Sequence, residues 1–205
     1  MRLIISFDEQ EPYGSLFVHE ELKSLGAQVA TSPQEVARQC QVVFTMLTAD
    51  QAVEEVILGA GGIAMGAAKG MIVIDCSTIS PMTSKRMAEA LTSRGVEMLD
   101  APVTGSEPYA NQGTLSFLVG GNREVFASCE PLFNILGKKA SYLGGNGSGS
   151  YAKLAHNAMA AINLLSLAEG MTMVTKSGID PELFVQAIGG GGAKSNMMDM
   201  KISKF

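Results

Sequence analysis

The chain has 205 residues, of which 46% are hydrophobic and 17% are charged, so it can bury a sizeable core in one large domain, or in one domain and part of another. Its formal net charge is −5 and it has no basic run, which argues against nucleic acid or an anionic membrane as a partner. No apolar run reaches transmembrane length, and the N-terminus lacks the pattern of a signal peptide.

The cysteines and histidines bear on the compartment and on metal binding. Cys40, Cys76 and Cys129 are an odd number without a CxxC pair, which predicts a reducing, cytoplasmic compartment. Only two histidines are present, without HExxH spacing, so we expect no dedicated metal site.

Strand and helix patterns alternate from the N-terminus. The apolar run Met1–Ser6 predicts a strand, and a polar loop covers residues 7–14. Leucines and valines at helical spacing then predict a helix that ends at Gly26. A short strand is predicted at Gln28–Ala30. Ser32 and Glu35 form a capping box that starts the next helix.

The following elements keep this alternation. The run Val42–Leu47 predicts a fully buried strand, and Thr48 is predicted to cap the helix after it. The remaining predicted elements are strands at Met71–Asp75, Val96–Asp100, Thr114–Val119 and Ala140–Leu143, and helices at Pro81–Arg94 and from the cap Asn122 to Leu136.

The C-terminal part reads as helical. The glycine-rich residues 144–149 lack the GK[ST] ending of a P-loop, so we interpret them as a hinge. A helix is predicted at Ser148–Lys176 with an apolar stripe, and Asp180 starts another that breaks at Gly189. Residues 194–205 show no clear pattern.

This order of elements predicts an α/β fold. We expect a Rossmann-like doubly wound sheet domain over residues 1–146, incomplete at its N-terminus and parallel in the half up to Asp100, and part of an all-α domain over residues 147–205. In such sheets, ligands bind at the carboxyl ends of the strands. The segments at those ends are Leu47-Thr48, Ser77-Thr78 and the stretch from Asp100. From the residues alone, Thr48 could equally be a plain N-cap and Thr78 a turn residue.

The stretch from Asp100 to Gly121 reads DAPVTGSEPYANQGTLSFLVGG. Its small residues Thr104, Gly105 and Ser106 carry two hydroxyls and an unshielded backbone, which can approach a small anion closely. By spacing alone, an ordinary β-hairpin explains it better. However, the stretch resembles the DAPVSGG, GTL and VGG segments of the β-hydroxyacid dehydrogenases, with Ser106 in place of the second glycine.

Two more segments carry this resemblance. Met46-Leu47-Thr48 and Asp75-Cys76-Ser77-Thr78-Ile79-Ser80-Pro81 match the family's M-L-P/T and D-x-S-T-x-x-P runs. The resemblance implies NAD or NADP as cofactor, and a cofactor contact at four positions. They are Leu47, Thr48, Ala52 and Thr78.

Lys153 is the catalytic candidate. It would ordinarily be a solvated lysine on a helix surface, and Asn157 lies one turn later on the same face. The run from Gly149 to Asn157 matches the family's G-x-x-x-K-x-x-x-N motif. The resemblance implies that Lys153 is catalytic and that Asn157, with Thr104, Gly105 and Ser106, binds the substrate.

The resemblance covers about residues 25–193 and lacks two family segments. No GxGxxG follows the first predicted strand, although in this family that loop binds the cofactor pyrophosphate. Met1–Ser6 could be the family's first strand without the unit that follows it, or the second strand, in which case Asp8 or Glu9 could contact the cofactor ribose and favour NAD. The K-D-L segment of the family's later helices is also missing, so the chain could be a fragment or a shortened form.

The sequence and its resemblance are compatible with two functions. The first is an NAD(P)-dependent oxidoreductase for a small 3-hydroxy acid or its semialdehyde, with a small-molecule substrate and a homo-oligomeric assembly. The alternative is a catalytically inactive relative or fragment that serves as a binding or oligomerisation module. The sequence does not distinguish NAD from NADP or name the hydroxy acid.

Overall fold

The computed structural model describes residues 4–5 and 22–201. The predicted loop at 7–14, most of the helix that ends at Gly26, and the ribose hypothesis for Asp8 and Glu9 lie outside these residues. The chain divides into two compact units, Met1–Lys153 and Leu154–Phe205.

The strands of the described residues all lie in the first unit. They are β1 (Ile4–Ile5), β2 (Gln28–Val29), β3 (Val42–Thr45), β4 (Ile72–Asp75), β5 (Glu97–Asp100), β6 (Val103–Thr104), β7 (Leu115–Gly120) and β8 (Gly137–Gly144).

The helices that follow β2 along the chain are numbered in order. They are α1 (Pro33–Gln39), α2 (Asp50–Leu58), α3 (Ile63–Gly66), α4 (Pro81–Thr92), α5 (Glu107–Asn111), α6 (Arg123–Leu136), α7 (Ser148–Lys176), α8 (Pro181–Ile188) and α9 (Asn196–Lys201).

A six-stranded sheet is the framework of the first unit. Its order is β3-β4-β5-β7-β6, and β8 pairs with β7. Strands β3, β4 and β5 are parallel, with Thr45, Asp75 and Asp100 in register at their carboxyl ends. A separate two-stranded parallel sheet joins β1 and β2. The predicted α/β, Rossmann-like fold class is confirmed.

The sheet is mixed, although β3, β4 and β5, which precede the stretch after Asp100, are parallel as predicted. β7 runs antiparallel to both β5 and β6, and parallel to β8. β5 and β6 keep one direction and one continuous register against β7, and residues 105–114 link β6 to β7. A parallel crossover needs a dozen or more residues, so this shorter link joins antiparallel neighbours.

Two hydrophobic clusters form the core. Val73 and Met98 belong to the cluster that also contains buried residues of helices α1, α2 and α4. Their neighbours Ile74 and Leu99 belong to the other, which includes Phe133 of α6. Successive strand residues point to opposite sheet faces, so the central strands supply both clusters and read as continuous apolar runs.

Several predicted helix starts are confirmed. The side chains of Ser80, Asn122 and Asp180 each accept hydrogen bonds from backbone NH groups at the start of α4, α6 and α8. The Ser32 hydroxyl accepts from Glu35 N at 3.2 Å. The carboxylate of Glu35 bonds to Thr31, so the capping box is displaced by one residue.

The prediction that Thr48 caps the next helix is wrong. The cap position of α2 is Ala49, which makes no side-chain bond. Asp50 accepts a hydrogen bond from Ser80 N at 3.0 Å, so a tertiary contact holds this helix start. The strand before it is not fully buried either, because Phe44 is 37% exposed at the end position of the sheet order.

Two segments predicted without regular structure are helical. The polar loop after Ser106 contains the short helix α5, which makes about one and a half turns. Residues 196–201 form α9, whose start is held by a hydrogen bond from Met198 N to the Ser195 hydroxyl at 3.2 Å. Both are too short for a hydrophobic periodicity to show in the sequence.

The long helix α7 has the bounds that the sequence predicts. Leu165 of the predicted apolar stripe is more than 60% exposed, as are Met159 and Ile162, which lie outside that stripe. By length and composition alone α7 could cross a membrane, with 17% of its most apolar window buried. The sequence analysis expected no apolar run of transmembrane length, so this finding differs from that expectation. Core helices of soluble proteins pass the same test of length and composition.

Candidate active site

Hydrogen bonds tie together the loops that follow β3 and β4. Asp75 Oδ1 accepts from Thr45 Oγ1 at 2.8 Å and from Ser77 Oγ at 2.6 Å. The Ser77 oxygen in turn accepts from Leu47 N at 2.9 Å. All three polar side chains are buried. One carboxylate therefore fixes the carboxyl ends of two parallel strands relative to each other.

The predicted cofactor positions lie around this network. Leu47 is half-buried and Thr48 is exposed in the first loop, and Thr78 is exposed in the second. Ala52 is half-buried in the first turn of α2. This edge therefore presents two hydroxyls beside an apolar side chain, which fits the nicotinamide end of a dinucleotide.

The hydrogen bonds of Asp75 do not fully offset the cost of burying its carboxylate. Burial raises the pKa of its carboxyl, and the bonds from Ser77 and Thr45 oppose that rise. Within the described residues, Oδ2 has no hydrogen-bond partner. A buried oxygen without a partner disfavours the ionised form.

The predicted substrate loop begins in strand β6. Thr104 pairs with Ser116 of β7 and is half-buried, whereas Gly105 and Ser106 are exposed. Gly105 has φ +117°, and a Cβ there would lie 2.9 Å from the Leu115 side chain. Position 105 therefore requires glycine. The loop presents its backbone and the Ser106 hydroxyl to solvent, and the hairpin reading of this stretch is also correct.

The start of α7 lies against the same strands. Asp100 Oδ1 accepts from Gly147 N at 2.7 Å, and Oδ2 accepts from Ser150 N at 2.9 Å. Burial raises the pKa of the Asp100 carboxyl, and these two backbone bonds oppose the rise. The carboxylate thus binds two NH groups of a helix N-terminus, which have no partner within the helix.

Lys153 follows in the next turn of α7 and is half-buried. Burial lowers the pKa of its ammonium group, because a less hydrated site disfavours the charged form. Asn157 belongs to the second unit and is exposed, with its oxygen 3.2 Å from His156 Nδ1.

The structure therefore gathers most of the predicted positions at one edge of the first unit. The sequence assigned no role to Asp75, Ser77 or Asp100, which hold these loops. Their signal is visible in retrospect, since Asp75 and Asp100 both end an apolar strand with an acidic residue.

Family models match nearly the whole chain. The model for the NAD binding domain of 6-phosphogluconate dehydrogenase matches residues 15–144. The model described as NAD-binding of NADP-dependent 3-hydroxyisobutyrate dehydrogenase matches residues 147–205, which include α7.

Curated relatives agree with these matches. The 2-hydroxy-3-oxopropionate reductase of Escherichia coli strain K12 is 38% identical over 183 residues, which are 89% of this chain and 63% of that protein. The mitochondrial 3-hydroxyisobutyrate dehydrogenase of Mus musculus is 39% identical over 171 residues, which are 83% of this chain and 51% of that protein. The chain thus spans between half and two thirds of the length of these relatives.

Solved structures support the same fold. The 3-hydroxyisobutyrate dehydrogenase of Mycobacterium tuberculosis, solved with L-serine, has a TM-score of 0.83 at 26% identity, covering 89% of this chain and 62% of its own. A protein named Psf3, solved with NADP+ and 2-OPP, has a TM-score of 0.81 at 25% identity, covering 92% and 67%.

Proposed function

Because the chain belongs to the β-hydroxyacid dehydrogenase family, we propose that its protein is an NAD(P)-dependent oxidoreductase. Its substrate is a small 3-hydroxy acid or the corresponding semialdehyde. The observation that carries this proposal is Lys153, a half-buried lysine with a lowered pKa beside the strand ends. Perturbed titratable groups of this kind concentrate at functional sites.

The proposed chemistry assigns the proton to Lys153. A nicotinamide cofactor, when bound, accepts or supplies the hydride at the substrate carbon. In the oxidative direction neutral Lys153 takes the proton from the substrate hydroxyl. In the reductive direction protonated Lys153 returns it and stabilises the developing negative charge on oxygen. Because burial lowers the pKa of Lys153, this residue gives up its proton more readily than an exposed lysine does.

The remaining roles are proposals drawn from the matched motifs. Thr104, Gly105 and Ser106 bind the substrate carboxylate through backbone NH and hydroxyl groups, and Asn157 contacts the substrate. The cofactor side consists of Leu47, Thr48, Ala52 and Thr78. We further propose a dinucleotide-binding domain over residues 1–146, an all-α domain from residue 147, a cytoplasmic location and a homo-oligomer.

Replacing Lys153 tests the proposal. Lys153→Ala should lower kcat by about two or more orders of magnitude, the typical contribution of general acid–base catalysis, with cofactor affinity little changed. The assay follows NADH or NADPH absorbance with 3-hydroxyisobutyrate, L-serine and tartronate semialdehyde as substrates. The exposed Lys138 gives the matched control, and Lys138→Ala should keep wild-type rates.

The pH profile adds a second readout. The oxidative rate should rise with pH through the Lys153 pKa, which lies below the ordinary lysine value of 10.5. Wild-type turnover in Lys153→Ala would remove this residue from the mechanism. An intact protein without turnover on any of these substrates would favour the inactive binding or oligomerisation module.

A further inference from the structure

Asp100 is a buried carboxylate to which the proposed reaction assigns no chemistry. It ends β5, it is 1% exposed, and both of its oxygens accept backbone hydrogen bonds from the start of α7. The N-terminus of a helix carries a partial positive charge, so a carboxylate there is stabilising.

Glycines allow this close contact. A Cβ at Gly149 would clash with the carbonyl oxygen of Leu118 and lie 2.6 Å from that of Asp100. A Cβ at Gly120 would lie 2.6 Å from Asp100 Oδ1 and 2.9 Å from Gly149 N. The first turn of α7 is therefore packed directly on the sheet backbone, with no side chain between them.

A second bond reaches the same strand. Asn146 Nδ2 donates to the carbonyl oxygen of Met98 at 2.7 Å. The segment that leads into α7 is thus held at two residues of β5, and Asp100 accepts from the NH groups of Gly147, just before the helix, and of Ser150 in its first turn.

We propose that Asp100 is a positioning residue that fixes the turn of α7 from which Lys153 projects. Ser150 precedes Lys153 by three residues, about one helical turn, so the bond to Ser150 N restrains the backbone that supports the lysine. Asp100 also lies four residues before Thr104, where the predicted substrate loop begins. The catalytic consequence rests on the proposed function, whereas the anchoring does not.

The anchoring is measured without any activity. Asp100→Asn keeps the size of the side chain but replaces one acceptor with a donor, and Asp100→Ala removes both acceptors. Hydrogen exchange of the Gly147 and Ser150 amides, read by NMR, should accelerate about tenfold or more in Asp100→Asn and further in Asp100→Ala, because charge-assisted bonds are lost. Mass spectrometry measures the rate at which an acetylating reagent labels Lys153. This labelling rate should also change more in Asp100→Ala than in Asp100→Asn.

Asp75→Asn is the matched control. Asp75 is a neighbouring buried carboxylate, in register with Asp100 on β4, but its bonds go to Thr45 and Ser77. This variant should leave both amide exchange at Gly147 and Ser150 and the labelling of Lys153 at wild-type values. Equal changes in Asp75→Asn and Asp100→Asn would reveal general loosening and overturn the proposal.

Kinetics then test the catalytic consequence. If the wild type turns over, Asp100→Asn should lower kcat about tenfold or more with KM for the cofactor nearly unchanged, and shift the pH profile assigned to Lys153. Unchanged exchange, labelling and kcat in a folded Asp100→Asn would overturn the proposal, even if Asp100→Ala fails to fold. An inactive wild type with accelerated exchange would support the anchoring and count only against the proposed enzyme.

Discussion

Asp75 and Asp100 lie side by side in register at the carboxyl ends of β4 and β5, and each is 1% exposed. They hold different partners, since Asp75 joins the two cofactor-side loops and Asp100 holds the start of α7. Burial raises the pKa of both carboxyls. At the scale of single residues, this edge therefore contains ionisable groups where a purely structural core would be apolar.

This burial predicts how stability depends on pH at Asp75. Its pKa in the folded state lies above the ordinary 3.8, so its contribution to stability is complete below that pH and is lost as pH rises through the folded-state pKa. Asp75→Asn cannot ionise. The free energy of unfolding of the variant minus that of the wild type should therefore increase from about pH 4 towards neutrality, as measured by urea denaturation.

Other groups titrate in both proteins and cancel in this difference, provided that the two are compared at the same pH. A difference that stays constant across the range would mean that Asp75 has the same pKa in the folded and the unfolded chain.

At the scale of elements, α7 contains glycines in two different environments. Gly149 lies in the first turn against Leu118 and Asp100, whereas a Cβ at Gly170 would have no atom within 4 Å. Both residues are helical, so helix propensity favours alanine equally at each position. The tertiary contact alone distinguishes them.

The two alanine variants should therefore change stability in opposite directions. Gly149→Ala forces the helix start away from the sheet and should lower the free energy of unfolding by about 1–3 kcal/mol. Gly170→Ala, the matched control, should raise it by about 0.5–1 kcal/mol. Urea denaturation followed by circular dichroism measures both. A stabilising Gly149→Ala would contradict the close packing of α7 on β5 and β7.

At the scale of the whole molecule, the matched motifs cover the nicotinamide side of the dinucleotide site that we propose. The part that binds pyrophosphate in this family is a GxGxxG loop, and this sequence contains none after its first strand. The protein of 205 residues should bind NADH and NADPH weakly, because several charge-assisted bonds of about 1.5–3 kcal/mol each are missing.

Titration calorimetry measures this affinity directly. A micromolar Kd for either dinucleotide would contradict the expectation and would assign the phosphate contacts to residues 6–21 or to a second chain.

The family, the fold class and most element bounds of the first unit could be predicted from the sequence alone. Apolar runs marked β3, β4 and β5, and caps such as Asn122 marked the helix starts, because these signals are local. A motif also singled out Lys153 as the catalytic candidate, which stays a prediction, although nothing local distinguishes that residue from a solvated lysine.

Only the tertiary structure decided which strands are antiparallel, where α2 begins and what holds α7. Each depends on a partner distant in sequence. Asp50 bonds to Ser80 across 30 residues, and Asp100 bonds to Ser150 across 50. A pattern read along the chain carries no signal for such pairs, because the free energy that selects them arises when the sheet brings the two segments together and removes their polar groups from water.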